Sequence, residues 1–216
     1  MHMEIFETIK TFITENKILV IAAAIAVLFL LIFLSSYFSK GRRKGRAAEK
    51  KVAKALKKMT RKDPVHIMNN VYLPMHKGCC EIDHLVIGRF GILVVETKGI
   101  SGEISGSGDY LTHKVGGNTH SLYNPQLQNK THIKNVEHHL KKGRFEHIPV
   151  KGVVVFTDEE LVYPQGLGMN IDGLKEYYKG LKKSGCYEDV LYDYFKSLQV
   201  HDPIRKLSVR KHHKGK

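Results

Sequence analysis

Three residues near the middle of the chain have the types and spacing to work on a phosphate ester: Asp83, Glu96 and Lys98. They lie in two β-prone runs, Glu81-Ile82-Asp83-His84-Leu85-Val86-Ile87 and Ile92-Leu93-Val94-Val95-Glu96-Thr97-Lys98, joined by Gly88-Arg89-Phe90-Gly91. With Arg89-Phe90 as a two-residue hairpin loop, Gly88 pairs with Gly91. Carried back along both strands, that register sets Asp83 opposite Glu96, where Cβ atoms are ~4.5–5.5 Å apart. Glu96 and Lys98 are two residues apart on one strand and share a face. Facing carboxylates repel, and a hard cation relieves them. Mg²⁺, or Mn²⁺ in its place, takes one or two carboxylates, keeps several waters and leaves positions for phosphate oxygens. Lys98 would then stabilise charge gathering at phosphorus or orient an attacking water. The plainer alternative is a strand that ends in solvated charge.

A domain of mixed strands and helices must position these groups. From Arg46 to Met59 the apolar residues Ala47, Ala48, Val52, Ala53, Leu56 and Met59 recur at helical spacing, and Asp63-Pro64 ends the helix. The other face of that helix carries Lys50, Lys51, Lys54, Lys57 and Lys58, a basic ridge suited to a nucleic-acid backbone. Strands are expected over 65–73, 81–87, 92–97, 103–105, 110–115 and 151–157, with helices over 125–142, 174–182 and 187–198. Gly99 to Gly108 lacks the Lys-Ser/Thr of a phosphate-binding loop and reads as a tight hairpin. The order describes an α/β domain with a mixed sheet around a central hairpin.

The first forty residues are different in kind. Ile18 to Leu34 is seventeen apolar residues without a break, and Ser35, Ser36, Tyr37 and Phe38 extend the uncharged run to 21. As a helix it would span about 31 Å, enough for a single transmembrane pass. Residues 3–17 carry two basic side chains and residues 39–53 carry seven, which places the C-terminal side in the cytoplasm. The organisation expected is a short extracytoplasmic stretch 1–17, a membrane helix 18–38, a basic linker 39–44, a domain 45–200 and a basic, disordered tail 201–216.

The formal charge of +14 suits a polyanionic partner, either nucleic acid or an anionic lipid surface. Cys79, Cys80 and Cys186 lack the spacing of a zinc or redox motif and read as reduced thiols. His84 points away from Asp83 across the sheet and reads as a packed histidine. His138-His139 and His212-His213 read as solvated or phosphate-adjacent.

The run Glu81-Ile82-Asp83-His84-Leu85-Val86-Ile87, continued through Gly91 to Val94-Val95-Glu96-Thr97-Lys98-Gly99, resembles the nuclease-related domain, NERD, of the PD-(D/E)-x-K nuclease superfamily. Asn124-Pro125-Gln126-Leu127-Gln128 is similar to that family's Asn-Pro-x-x-Gln element, and 45–56, with Glu49, to its opening helix. The resemblance covers about residues 45–157. It implies a restriction-endonuclease-like mixed sheet flanked by helices, here preceded by one transmembrane helix. It also implies Asp83 and Glu96 as metal ligands, Lys98 as the catalytic lysine, and Glu49 and Gln128 close to the site. Gln128 would hold the lysine or a metal-bound water, or simply sit on a helix surface. Glu49 would complete the metal site or pair with neighbouring lysines. The function so implied is metal-dependent cleavage of nucleic acid, DNA ahead of RNA, by a single-pass protein of the cell membrane. Two rivals are a binding module without catalysis and a scaffold held on anionic lipid.

Overall fold

The computed structural model describes residues 5, 16–182, 185 and 188–202. Most of the stretch 1–17, Cys186, His212-His213 and the tail from 203 onward lie outside them. The chain divides into two units, Met1–Lys44 and Gly45–Lys216.

Helix α1 runs from Lys17 to Met59. The linker expected over 39–44 does not interrupt it. Arg42, Arg43, Lys44, Arg46, Ala47 and Ala48 are strong helix formers, and they outweigh two glycines that cost ~1 kcal/mol each. The expected transmembrane helix over 18–38 is not supported: among the described residues no helix is long and apolar enough to cross a membrane. The side chains at 20, 23, 24 and 32–42 are outside that description.

Within the second unit, Ala48, Val52 and Leu56 recur every four residues and form the buried stripe of α1. The four-stranded sheet has the order β1 (Val65–Pro74), β2 (Cys79–Gly88), β3 (Gly91–Lys98), β7 (Val150–Phe156). β1, β2 and β3 form an antiparallel meander, and β3 pairs in parallel with β7. The observed β2 begins two residues earlier than expected. On one face Val52 and Leu56 of α1, with Leu174 and Tyr178 of α3 (Ile171–Lys179), pack on Val86, Leu93, Val95 and Val155. On the other, Val136 and Leu140 of α2 (Pro125–Lys142) and Leu191 and Phe195 of α4 (Glu188–Leu198) cover Leu85, Ile87, Ile92 and Val94. Both faces are covered, so β3 reads as a continuous apolar run until its charged end.

A second sheet, β4 (Glu103–Ser105), β5 (Tyr110–Val115) and β6 (Asn118–Tyr123), leans on β7 through Ile104, Leu111, Val154 and Phe156. The single mixed sheet expected is therefore two. β6 was not anticipated, because Asn118-Thr119-His120-Ser121 is polar and exposed. The signal was in the turn: Gly116 and Gly117 both hold positive φ (54° and 78°), the geometry of a two-residue hairpin.

β1 and β2 share one irregularity. Their pairing is continuous except at Asn70 and Asp83, which face each other without a ladder pair. Asn70 has φ 51°, the left-handed region. Met68 and Val71, three residues apart, face the same core, as do Ile82 and Leu85. A regular pleat would send them to opposite faces, so both strands change face at this point.

α2 approaches the sheet over Gly152. A Cβ there would lie 2.4 Å from Ile133 Cδ1 and 2.8 Å from Asn129 Nδ2. Asn129 Nδ2 donates to Val153 O at 3.0 Å, which fixes the helix over the β3–β7 seam. A chain beginning at Gly45 is expected to melt in one cooperative step. Gly152→Ala should lower its stability by ~1–3 kcal/mol through overpacking, read from urea titration; an unchanged midpoint would show that α2 is not seated there.

Candidate active site

The hairpin register reaches the site and then stops. β2 and β3 pair from Gly88↔Gly91 to His84↔Val95, which leaves Asp83 and Glu96 as the next position. The ladder does not continue there. Instead the Thr97 amide donates to Asp83 Oδ2 at 2.7 Å, so a carboxylate replaces the missing carbonyl. β3 stays joined to β7 through Glu96↔Val154, Thr97↔Val155 and Lys98↔Phe156. β2 thus peels away from a strand that remains anchored on its other side.

Glu96 is the most buried charge here, only 2% exposed. Lys98 Nζ lies 2.8 Å from its Oε1, and His132 Nε2 lies 3.1 Å from its Oε2. Lys98 also donates to Gln128 Oε1 at 2.8 Å. His132 Nδ1 meets Cys80 Sγ at 2.9 Å. A side-chain path therefore runs from Cys80 through His132, Glu96 and Lys98 to Gln128. Gln128 and His132 come from α2, whose start is set by the Asn124-Pro125 pair. Asn124 Oδ1 accepts from the Gln126 amide at 3.0 Å, and Pro125 occupies the first turn. The Asn124 amide and side chain bond Asp109 and Gly108, so the β4–β5 turn locates the helix.

The two carboxylates are held in opposite states. Burial alone would raise Glu96, but Lys98 and His132 outweigh it and pull the group down to about 2. For Asp83, burial and the Glu96 charge act together and push it up to about 8 against the Thr97 amide and Lys98. Without a metal, Asp83 thus holds its proton to a higher pH than Glu96 does. Burial would press the His132 imidazolium toward neutrality; its contacts with Cys80 and Glu96 reverse this and raise it. Glu49 is raised by burial and by the Glu81 charge, and the Glu96 charge also reaches it. It lines a cavity of about 450 Å³ with Arg46, Lys50, Asn69, Glu81 and His84.

The expected residues fall into distinct groups. Asp83, Glu96, Lys98 and Gln128 meet at one place; Glu49 borders it from α1 and is coupled to it by charge. Lys50, Lys51, Lys54, Lys57 and Lys58 are all exposed along α1. Lys51 reaches across to Thr157 O at 3.0 Å and Glu159 at 3.5 Å. His84 is buried, bonds Asn69 Oδ1 at 2.7 Å, and is pushed down to about 4 chiefly by burial. His139, expected in solvent, is instead 4% exposed and bonds Pro74 O at 2.9 Å. His132 was overlooked. Its signal was the four-residue interval after Gln128, which puts both on one helical face.

A buried carboxylate–lysine pair on an interior strand of a helix-covered mixed sheet defines a domain of the PD-(D/E)-x-K kind. The sequence model described as the nuclease-related domain matches residues 44–157, and the chain belongs to this NERD family. An uncharacterized protein of Bacillus anthracis is 37% identical over 92 residues, 41% of this chain and 43% of that relative. The chain thus aligns with less than half the length of this relative. No solved structure matches it.

The opposed carboxylates set a pH signature. A carboxyl raised from 3.8 to about 8 contributes stability that is present below pH 3.8 and lost as pH climbs through 8. Asp83→Asn removes that loss and can still accept from Thr97. Without divalent metal, parent and variant should melt most nearly alike at about pH 4. The variant should gain steadily toward pH 8, as followed by calorimetry. A constant gap, or one that favours the parent at high pH, would contradict a proton held on Asp83.

Proposed function

We propose that the chain is a nuclease that hydrolyses phosphodiester bonds, DNA ahead of RNA, with Mg²⁺ or Mn²⁺ as cofactor. The observation that carries this reading is the Lys98 ammonium, held 2.8 Å from Glu96 Oε1 and 2.8 Å from Gln128 Oε1 beside Asp83. Its position is set by two partners on separate elements, so it needs little reorganisation to meet charge developing on a phosphate. Glu96, kept ionised in the interior, and Asp83, whose proton a cation would displace, are the two donors.

The donor set suits a hard cation rather than a closed cage. Among the described residues no group of three or more His, Cys, Asp or Glu side chains is placed to hold a metal ion. Two carboxylate donors, with the remaining positions left to water and phosphate oxygens, match the habits of Mg²⁺. When bound, the ion would neutralise phosphate charge and supply a more acidic water. Glu49 stands at the edge of the adjoining cavity, where Arg46 and Lys50 offer positive charge to the nucleic-acid backbone. Lys54, Lys57 and Lys58 continue that ridge.

In this reading the domain from Gly45 works at the cytoplasmic face of the cell membrane. Ile18, Leu19, Phe29, Leu30 and Leu31 are all more than half exposed, and such a surface is suited to an apolar surrounding. The seven basic residues of 39–53 favour the cytoplasmic side and an anionic lipid face.

Incubated with Mg²⁺, the chain should cut plasmid DNA, and Lys98→Ala should slow cutting by about 100-fold or more. Mg²⁺ should raise the melting temperature of the parent and do far less for Asp83→Asn, because a ligand stabilises only the form that binds it. Salt-sensitive binding without any cutting would favour the non-catalytic module instead.

Binding should also weaken steeply with salt, since each phosphate neutralised releases counterions. Replacing Lys50, Lys54, Lys57 and Lys58 by Gln should flatten that slope in a fluorescence anisotropy series. A slope unchanged by the four replacements would remove α1 from the nucleic-acid surface.

A further inference from the structure

We propose that His132 is a positioning residue of this site, gripping Glu96 Oε2 so that Oε1 stays turned toward Lys98 and the cation position. The proposal rests on the nuclease reading above.

The geometry is that of a two-point clamp. Gln128 and His132 lie one turn apart on α2, and each takes one member of the Glu96–Lys98 pair. Gln128 holds the lysine at 2.8 Å; His132 holds the carboxylate at 3.1 Å. A carboxylate only accepts hydrogen bonds, so Nε2 must carry the proton in this contact. Cys80 Sγ sits 2.9 Å from Nδ1 and stops the ring from turning. All three groups are 5% exposed or less, which leaves water little access to the Glu96 oxygens.

A second buried histidine on the same helix shows what a packing role looks like here. His139 bonds a backbone carbonyl, Pro74 O, and touches no carboxylate. His132 spends both ring nitrogens on side chains, one of them the site's central acid. Without its donor, Glu96 Oε2 would be left in the core with no partner. The carboxylate would then swing to face Lys98 with both oxygens or take up a proton. Either change weakens it as a cation ligand, and groups that orient ligands in this way commonly matter about 10- to 100-fold in metal affinity or activity.

Two amide replacements separate position from packing. The Gln amide nitrogen reaches the place of Nε2, and the Asn amide nitrogen only that of Nδ1. Mn²⁺ binding to the full chain is measured by titration calorimetry, and plasmid cutting is measured in parallel. His132→Gln should bind Mn²⁺ within about 3-fold of the parent, and His132→Asn about 10- to 100-fold more weakly. The kcat of the Asn variant should fall with the metal affinity, while KM for DNA stays unchanged. If the Asn variant does not fold, His132→Met, an apolar filler of similar size, should show the same loss. Parent-like Mn²⁺ affinity in the variant lacking the donor overturns the positioning role. So does an equal loss in the Gln and Asn variants, the result expected of a purely structural histidine. Both outcomes leave the nuclease reading standing. A parent that binds no Mn²⁺, or a Glu96→Gln chain that binds it undiminished, overturns that reading and this inference with it.

Discussion

An ionised carboxylate buried near the end of β3, an interior strand, is the constraint around which this domain is arranged. Removing a charge from water costs several kcal/mol unless partners replace the lost hydration. Glu96 meets that cost with Lys98 on its own strand and His132 on α2. The sheet supplies Lys98 but not His132. The helix must therefore lie flat on the β3–β7 seam, which is what Gly152 permits and Asn129 secures. The capped Asn124-Pro125 start sets where along the seam Gln128 and His132 fall.

The same charge explains why Asp83 behaves differently only one strand away. Burial presses on both groups, but Glu96 has Lys98 and a His132 hydrogen bond to offset it, whereas Asp83 also has the Glu96 charge against it, with a single backbone amide and a more distant lysine in its favour. Two like groups are thereby driven apart in acidity, the usual way one site keeps an acid and a base at neutral pH. A divalent ion between them would change the balance at once, because its own charge would be the largest in the site. In the meantime Lys98 offsets the buried Glu96 charge.

The strand irregularity serves this arrangement. If β1 and β2 kept a regular pleat, Ile82 and Leu85 could not both reach the α2 side, and Cys80 would face α1 rather than His132. The left-handed Asn70, opposite Asp83, absorbs the change of face. Strained backbone of this sort persists where its surroundings determine it. Here the surroundings are a well-packed core on both sides of the sheet.

Local pattern made much of this legible. The two-residue loop at Arg89-Phe90 determines the hairpin register, and that register is confirmed as far as His84↔Val95. Turn chemistry and periodicity placed β5, α2 and β7 within a residue of where they lie, because short-range sterics control them. Asp83, Glu96, Lys98 and Gln128 could be named together on spacing and family resemblance. The rest depended on contacts distant in the chain. The separate second sheet and the burial of His139 follow from which surfaces meet, and composition does not encode that. His132 is the clearest case. A histidine in a polar helix looks like a surface residue until the fold brings it to Glu96, 36 positions earlier, and to Cys80, 52 positions earlier. Helical spacing decided that Gln128 and His132 share a face; only the packing of α2 on β3 decided what that face would hold, because a buried charge takes its partners from whatever the tertiary fold delivers.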